Sequence, residues 1–188
     1  MWLVVGLGNP GSGYAQHRHN AGFMAVDALA HTYHATSFSK KFHGECADVT
    51  IASEKCLLLK PQTFMNLSGK SVLAAAQFYK IAPEKILVLH DELDLPLAKL
   101  RIKQGGGHGG HNGLRDIDSV MGQNYWRLRM GIGHPGNKDM VHSYVLSPFS
   151  SEERPVMQEF LTSLAAHLAL FWQKSPAALM SKLALENE

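Results

Sequence analysis

The sequence is poor in cysteine and has no long apolar run, and both shortages limit what the protein can be. Its two cysteines, Cys46 and Cys56, are expected on two strands of one hairpin, facing about Lys60 and Thr50 respectively. Side chains in that register do not meet, so we expect reduced, buried cysteines of the kind found in cytosolic proteins. The apolar runs are far shorter than a membrane span, and the N-terminus lacks the basic and apolar regions of a signal peptide. These absences predict a soluble, cytoplasmic protein.

The sequence also lacks a strong charge of either sign. Lysine and arginine together number 18 and the acidic residues 16, which gives a formal net charge of +2 at pH 7. Because a local basic patch matters more than the total, this balance permits a polyanionic partner without requiring one. The length of 188 residues and the hydrophobic fraction of 45% predict one globular domain, 1–188. We expect C-terminal helices from about residue 151 to pack on it.

Apolar strands and amphipathic helices alternate along the chain, which indicates the fold class. Strands are predicted at 2–5, 44–51, 55–59, 86–89, 100–103 and 126–132. Helices are predicted at 20–33, 70–79 and 151–174, and another follows the glycine-rich stretch and ends near residue 121. This order predicts a single three-layer α/β domain, in which helices flank a twisted mixed sheet that is mostly parallel. Ligands bind such sheets at the carboxyl ends of the strands, so the polar residues that follow the strands are candidates for a site.

The stretch GLGNPG, from Gly6 to Gly11, has the spacing G-x-G-x-x-G directly after an apolar strand. In a dinucleotide site, that motif opens a helix whose N-terminus faces the pyrophosphate, and an acidic residue ends a second strand about 20 residues later. Here helical spacing begins only near Asn20, and Asp27 lies inside the predicted helix. Both requirements fail, so the motif is predicted to form an extended loop rather than a dinucleotide site.

The sequence has no G-x-S-x-G nucleophile elbow and no Walker loop, and both cysteines are predicted in the middle of strands, which are poor places for a nucleophile. Water activated by a general base is therefore the expected nucleophile of any hydrolase activity. His19 is the best-placed base, because it precedes the first helix and closes the loop that follows GLGNPG. A helix N-terminus disfavours imidazolium, and a carboxylate such as Asp91 would restore basicity and fix the tautomer. The alternatives are a histidine that caps the helix and an ordinary loop carboxylate.

The segment 105–112, GGGHGGHN, is a candidate metal site because it contains two histidines. Its two histidines, His108 and His111, are three residues apart, and residues 90–94 add one histidine and two aspartates. This spacing is not a zinc signature, and glycine provides no rigid helix that would hold two ligands on one face. We therefore predict no metal and no cofactor. The glycines either let the loop approach or cover a ligand, or make it merely flexible.

Amides and cations complete the candidate residues. Asn9, Asn66 and Asn112 follow strands or the glycine loop, and an amide can donate to a carbonyl or an oxyanion while it accepts from an N–H. Helix capping is the alternative for Asn66 and Asn112. Two strands near the glycine loop carry cations, which could clamp phosphate or form a solvated face. These cations are Arg101, Lys103, Arg127 and Arg129.

Five motifs together resemble one known family. They are GLGNPG with Tyr14 and RHNAG, PQTFMNLSG, HDELDL, KQGGGHGGHNGL, and RLRMGIGHPG, which occur in this order between residues 6 and 136. The combination is similar to bacterial peptidyl-tRNA hydrolase. The resemblance implies a metal-free esterase that cleaves the bond between a peptide and the 3′ ribose of tRNA, and so recycles prematurely released peptidyl-tRNA. It also implies a cytoplasmic monomer with a twisted mixed sheet.

The resemblance implies a role for nine residues. His19 would be the general base and Asp91 its orienting partner, and Asn9 would sense an N-blocked peptide. Asn66 and Asn112 would bind the peptide and the terminal nucleotide, with Asn112 also positioning water. Tyr14 and Phe64 would line the pocket, and Lys103 and Arg129 would clamp tRNA phosphate. The alternative hypothesis is a non-catalytic RNA-binding module of the same fold.

Overall fold

The computed structural model describes residues 1–186, so residues 187 and 188 of the predicted domain lie outside the described part. Seven strands form one sheet: β1 (Trp2–Gly6), β2 (Ser39–Lys41), β3 (Gly44–Ile51), β4 (Glu54–Pro61), β5 (Ile86–Glu92), β6 (Leu100–Gln104) and β7 (Trp126–Gly131). Their order is β2-β3-β4-β1-β5-β7-β6. The four central strands β4, β1, β5 and β7 are parallel neighbours, and antiparallel pairs complete both edges. The predicted mixed α/β sheet is confirmed.

Within residues 1–186, seven α-helices flank the sheet: α1 (Ala21–Thr32), α2 (Ser68–Tyr79), α3 (Asn112–Met121), α4 (Val141–Val145), α5 (Glu153–His167), α6 (Leu170–Gln173) and α7 (Pro176–Glu186). One core lies between the sheet and α1, α5, α6 and α7, and the other between the sheet and α2 and α3. Successive residues of β1 alternate between these cores: Leu3 and Val5 belong to one and Val4 to the other. Burial on both faces explains why this strand is apolar throughout.

The turn between β3 and β4 corrects the predicted hairpin register. Cys46 faces Leu59 and Cys56 faces Val49, one position away from the prediction. The turn contains two residues, Ala52 and Ser53, and both have positive φ. A two-residue turn of this kind pairs the flanking strands directly, so β4 begins one residue earlier than predicted. Both cysteines are free and buried.

Several other elements differ from the sequence-based prediction. The short edge strand β2 and the helix α4 were not predicted, and the predicted long helix near the C-terminus is divided into α5 and α6. Strand β5 continues through residues 90–92, so Asp91 lies within the strand and pairs with Met130 of β7. Among the helices of residues 1–186, none combines the length and apolar character that a membrane crossing requires.

Two glycines let α1 pack directly against the end of β1. A Cβ atom on Gly6 would lie 2.1 Å from the carbonyl oxygen of Gly22, and one on Gly22 would lie 2.3 Å from the amide nitrogen of Leu7. Helix α1 begins only at Ala21, after a single 3-10 turn over Arg18–Asn20. The GLGNPG segment is therefore a strand end followed by a long loop, and this loop delivers His19 to the carboxyl edge of the sheet.

Candidate active site

The centre of the site is a carboxylate held between two imidazoles. His19 Nδ1 lies 2.7 Å from Asp91 Oδ2, and His111 Nε2 lies 2.8 Å from Asp91 Oδ1. The two rings are 5.0 Å apart. Asp91 is only 3% exposed and His19 9%. The three residues come from β5, from the turn before α1 and from the end of the glycine loop, so three separate segments converge at the end of the parallel sheet.

Hydrogen-bond partners determine the tautomers of both rings. The backbone N–H groups of Gly113 and Leu114 donate to His111 Nδ1, so that nitrogen carries a lone pair and Nε2–H donates to Asp91. His19 donates through Nδ1–H to the carboxylate, which leaves Nε2 of His19 as the nitrogen with the free lone pair. The arrangement therefore holds one imidazole ready to accept a proton.

The electrostatics of the cluster favour the same protonation states. Burial opposes ionisation of Asp91, but the two imidazoles outweigh it and hold the pKa of Asp91 below its usual range. Burial lowers the pKa of His19, and the charge and hydrogen bond of Asp91 more than compensate, so the pKa of His19 is raised. Burial, together with the nearby imidazole of His111, lowers the pKa of the neighbouring His90 to about 4. His90 is thus neutral, and His19 is the basic imidazole of the group.

The sequence indicates His111 only as a possible metal ligand and does not predict its contact with Asp91. It also caps α3, because its ring accepts from two N–H groups in the first turn. The cap considered for Asn112 therefore belongs to the residue before it. Histidine is not among the preferred N-cap residues, so the sequence carried no clear signal for this role.

The same three side chains form a group that could ligate a metal. One ligand atom each from His19, Asp91 and His111 lies within 4.8 Å of the others. Both carboxylate oxygens already accept an imidazole N–H, and the second nitrogen of His111 is bonded to the backbone. A cation bound at the facing atoms would therefore have to replace hydrogen bonds that are already made. The described geometry is that of a hydrogen-bonded proton-transfer group.

Asn9 is held by a hydrogen-bond network that leaves its side-chain NH₂ group without a partner in the described residues. Its side-chain Oδ1 accepts from the backbone N–H of Met65 at 2.7 Å. Its backbone N–H and C=O both bond to the side chain of Asn20, each at 2.9 Å. Within residues 1–186, the Asn9 Nδ2 group has no hydrogen-bond partner, and Asn9 lines the cavity in front of His19. Asn9 can therefore offer N–H donors to a ligand, and Asn20, which sequence reasoning missed, positions it.

A cavity of about 770 Å³ lies in front of the carboxylate. His19, Asp91, Asn9, Asn66, Asn112 and Phe64 all line it. Tyr14 is not among its lining residues, but its ring lies 6.0 Å from that of Phe64. Phe64 is 50% exposed and has a φ of +61°, an uncommon value for a bulky residue. The structure thus brings six of the nine candidates to one cavity and places Tyr14 beside its rim.

The two expected clamp residues lie outside this cavity, on the antiparallel pair β6 and β7. Lys103 is exposed, whereas Arg129 donates through Nε to Glu92 Oε1 at 2.8 Å. Burial disfavours the charged form of Glu92, but the Arg129 hydrogen bond outweighs it, and the pKa of Glu92 is lowered. Of these two residues, Lys103 has no ion pair within residues 1–186 and can meet a phosphate, while Arg129 already neutralises a carboxylate at the cavity wall.

Arg127 is not part of a solvated face or of a clamp, the two alternatives considered from the sequence. It is fully buried. Its guanidinium donates to the carbonyl oxygens of Gly106 and Gly107 at 2.7 and 2.6 Å, and to Asp118 Oδ1 at 3.2 Å. These bonds hold the first half of the glycine loop against the protein and so fix its approach to His111. A buried charge therefore anchors the first half of the loop at Gly106 and Gly107.

Several known proteins are similar to this chain in sequence and in fold. The sequence profile of the family described as peptidyl-tRNA hydrolase matches residues 3–188. The peptidyl-tRNA hydrolase of Methylobacterium nodulans is 52% identical over 98% of this chain and 91% of its own length. That of Rhodospirillum rubrum is 54% identical, over 100% and 77% respectively. The crystal structure of peptidyl-tRNA hydrolase from Acinetobacter baumannii gives a TM-score of 0.91 at 46% identity, over 97% of this chain and 94% of that one. This chain belongs to the peptidyl-tRNA hydrolase family.

Proposed function

We propose that this chain hydrolyses the ester between a peptide and the 3′ ribose of tRNA with a water molecule that His19 activates, without a bound metal. Family membership gives the substrate and the reaction class, a hydrolase acting on an ester. The free lone pair of His19 Nε2, backed by Asp91 and facing the cavity, is the observation that carries the mechanism. An intact base and orienting carboxylate also disfavour the alternative of a non-catalytic RNA-binding module.

Each step of the reaction can be assigned to a group of this cavity. His19 Nε2 removes a proton from water as the water oxygen attacks the ester carbonyl, and Asp91 stabilises the imidazolium that forms. The oxyanion of the tetrahedral intermediate requires N–H donors, which the amides of Asn66 and Asn112 supply. His19 then returns the proton to the departing ribose oxygen. No covalent intermediate is needed, because water is the nucleophile.

The orientation of Asn9 explains how an N-blocked chain could be distinguished from a free aminoacyl group. With Oδ1 bonded to Met65, Asn9 presents only N–H donors to the cavity. A peptide or acetyl carbonyl oxygen accepts from such a donor. A free α-ammonium group has no acceptor to offer, so it would lose hydration next to Asn9 without a compensating bond. We infer that Asn9 recognises the carbonyl of the blocking group.

Hydrolysis of N-acetyl-alanyl-tRNA and of alanyl-tRNA, each with and without EDTA, tests the proposal. We expect rapid release of tRNA from the blocked substrate only, because only that substrate satisfies Asn9. We expect EDTA to leave the rate unchanged, because His19 rather than a metal activates water. Equal rates on both substrates would contradict the role of Asn9. Loss of activity in EDTA that added zinc restores would overturn the metal-free mechanism.

Lys103 is proposed to contact phosphate of the tRNA. Lys103→Ala should weaken tRNA binding and lower the slope of log affinity against log salt by about 1, since each phosphate contact releases bound counterions. Arg129→Ala should have the smaller effect, because Arg129 is already paired with Glu92. The matched control is Lys85→Ala, an exposed lysine before β5. If Lys103→Ala changes neither the tRNA affinity at low salt nor the slope of log affinity against log salt, the phosphate contact lies elsewhere.

We further propose that the protein acts as a cytoplasmic monomer. Every side chain assigned to the reaction comes from one copy of the chain, so the proposed cavity is complete without a partner. A substrate produced by ribosomes also places the activity in the compartment of translation.

A further inference from the structure

A second concavity borders the catalytic cavity and shares two of its walls. It has a volume of about 700 Å³, and we call it the lysine groove after Lys40, Lys41 and Lys70 in its lining. Pro10, Thr63 and Leu67 also line it. Their chain neighbours Asn9, Phe64 and Asn66 line the catalytic cavity. The loop after β1 and the segment after β4 therefore have one side in the cavity and the other in the lysine groove.

The lysine groove is cationic because its lysines have no acidic partner. Lys40, Lys41 and Lys70 are exposed, and none forms an ion pair with another residue of the described chain. The one carboxylate in the lining, Glu45, lies 3.6 Å from Lys60, which is itself paired with Asp27. Three lysines against the one carboxylate of Glu45, which pairs in strand register with Lys40 across β2 and β3, leave this concave surface net positive, and a concave surface of one charge sign attracts anionic groups more strongly than scattered charges do.

The position of the groove relative to the proposed phosphate contact indicates which part of the substrate would reach it. In the sheet order, Asp91 lies on β5 near the middle, Lys103 on the outermost strand β6, and Lys40 and Lys41 on the opposite outermost strand β2. An ester has two substituents, which leave the reacting carbon in different directions. If the ribose side extends toward Lys103, the acyl side extends past Asn9 toward the lysine groove.

We propose that the lysine groove binds the peptide part of the substrate, at residues upstream of the esterified one, and favours acidic side chains there. This inference rests on the proposed function, because it uses the direction in which tRNA leaves the ester. Half-exposed Leu67 provides an apolar surface within the groove for the peptide's carbon chain. Lysine ammonium groups on flexible stems select for charge without demanding one sequence, which suits an enzyme whose substrates carry many different peptides.

Three substrates that share one tRNA and one esterified residue test the proposal: N-acetyl-alanyl-tRNA, N-acetyl-tetraalanyl-tRNA, and a tRNA carrying N-acetyl-Asp-Asp-Asp-Ala. For the wild type we expect a KM about fivefold lower for the aspartate peptide than for the alanine peptide, the size expected of exposed charge pairs. The triple variant Lys40→Gln, Lys41→Gln, Lys70→Gln should abolish that difference. Its KM for N-acetyl-alanyl-tRNA should stay within about twofold of the wild type, since one residue does not reach the groove.

A second triple variant, Lys55→Gln, Lys85→Gln, Lys174→Gln, is the matched control, because it removes the same charge from exposed positions outside both concavities. It should keep the preference for aspartate. Equal KM values for the two longer substrates in the wild type would overturn the proposal. So would a groove variant in which KM rises equally for all three substrates, which would assign the lysines to RNA. Hydrolysis of N-acetyl-alanyl-tRNA by the wild type tests the proposed function separately.

Discussion

Replacing His19 by alanine is expected to lower kcat for N-acetyl-alanyl-tRNA by roughly 10²–10⁴-fold, the usual contribution of a general base. The substitution removes the free Nε2 lone pair, and in the described residues no other imidazole is held by Asp91 with a free lone pair. Binding of tRNA should change little, because the proposed phosphate contact lies on β6. Single-turnover hydrolysis measures the chemical step, and filter binding measures affinity.

A control must separate loss of the base from loss of the fold. His19 is nearly buried, so circular dichroism and the thermal midpoint of the variant should be compared with those of the wild type. His31→Ala removes an exposed histidine of α1 that lies outside the cavity, and it should retain full activity. A folded His19→Ala protein that keeps more than about 10% of the wild-type rate would contradict the assignment of His19 as the base.

Replacing Asp91 by asparagine is expected to be nearly as damaging, with a loss in kcat on the order of 10²-fold or more. In the wild type both carboxylate oxygens accept, one from His19 and one from His111. An asparagine amide has one acceptor and one NH₂ donor, so it cannot accept from both rings. His111 is held in its tautomer by the backbone of α3, so His19 is the ring that must change. It would then place its proton on Nε2, where a base needs a lone pair.

The pH dependence of the Asp91→Asn variant provides an independent readout. In the wild type Asp91 raises the pKa of His19 above its ordinary value of 6.5, so activity is expected to fall as the pH drops through that raised pKa. Without the carboxylate, burial alone acts on His19 and lowers its pKa. The acid limb of the kcat profile should therefore move to lower pH while the plateau falls. An acid limb that does not move would remove Asp91 from the mechanism.

The matched control for this substitution is Asp94→Asn. Asp94 also lines the cavity, but it is exposed and its side chain makes no hydrogen bond with either imidazole. The Asp94→Asn variant should leave both the plateau and the acid limb of the kcat profile close to those of the wild type. Comparable losses in the two variants would mean that general negative charge in the cavity, rather than the orientation of His19, is what the reaction needs.

Residues whose position depends on local sequence were predicted well. His19 could be placed before the first helix, and Asn9 in the loop after β1, because the apolar strand and the helical spacing around them are local patterns. The dinucleotide alternative could be discarded for the same reason, since the distance from GLGNPG to the helix is visible in the sequence. The first glycine of that motif matters for packing, because Gly6 together with Gly22 of α1 brings α1 onto β1.

Roles that depend on contacts between distant segments were predicted only in part: Asp91 was expected to orient His19, but the contact of His111 with Asp91 was not expected. His111 and Asn112 are neighbours that both line the cavity, and a shift of one position in the start of α3 decides which of them caps the helix. Arg127 and Arg129 are two residues apart on β7 and so share one face of the strand, but the first lies beneath the glycine loop and the second reaches Glu92. Neither the cap of α3 nor the different surroundings of the two arginines can be predicted without knowing which segments pack against these residues.

By itself, the sequence determined the alternation of strands and helices, the polar residues at the strand ends, and, through five motifs, the family. Only the tertiary structure decided the strand order, which brings residues 19, 91 and 111 together and separates Lys103 from the lysine groove. It also decided the protonation states, because the tautomer of His111 depends on the N–H groups of α3, and the direction of Asn9 depends on Met65. Propensity and periodicity act over a few residues, whereas hydrogen bonds within the site join segments up to 72 residues apart.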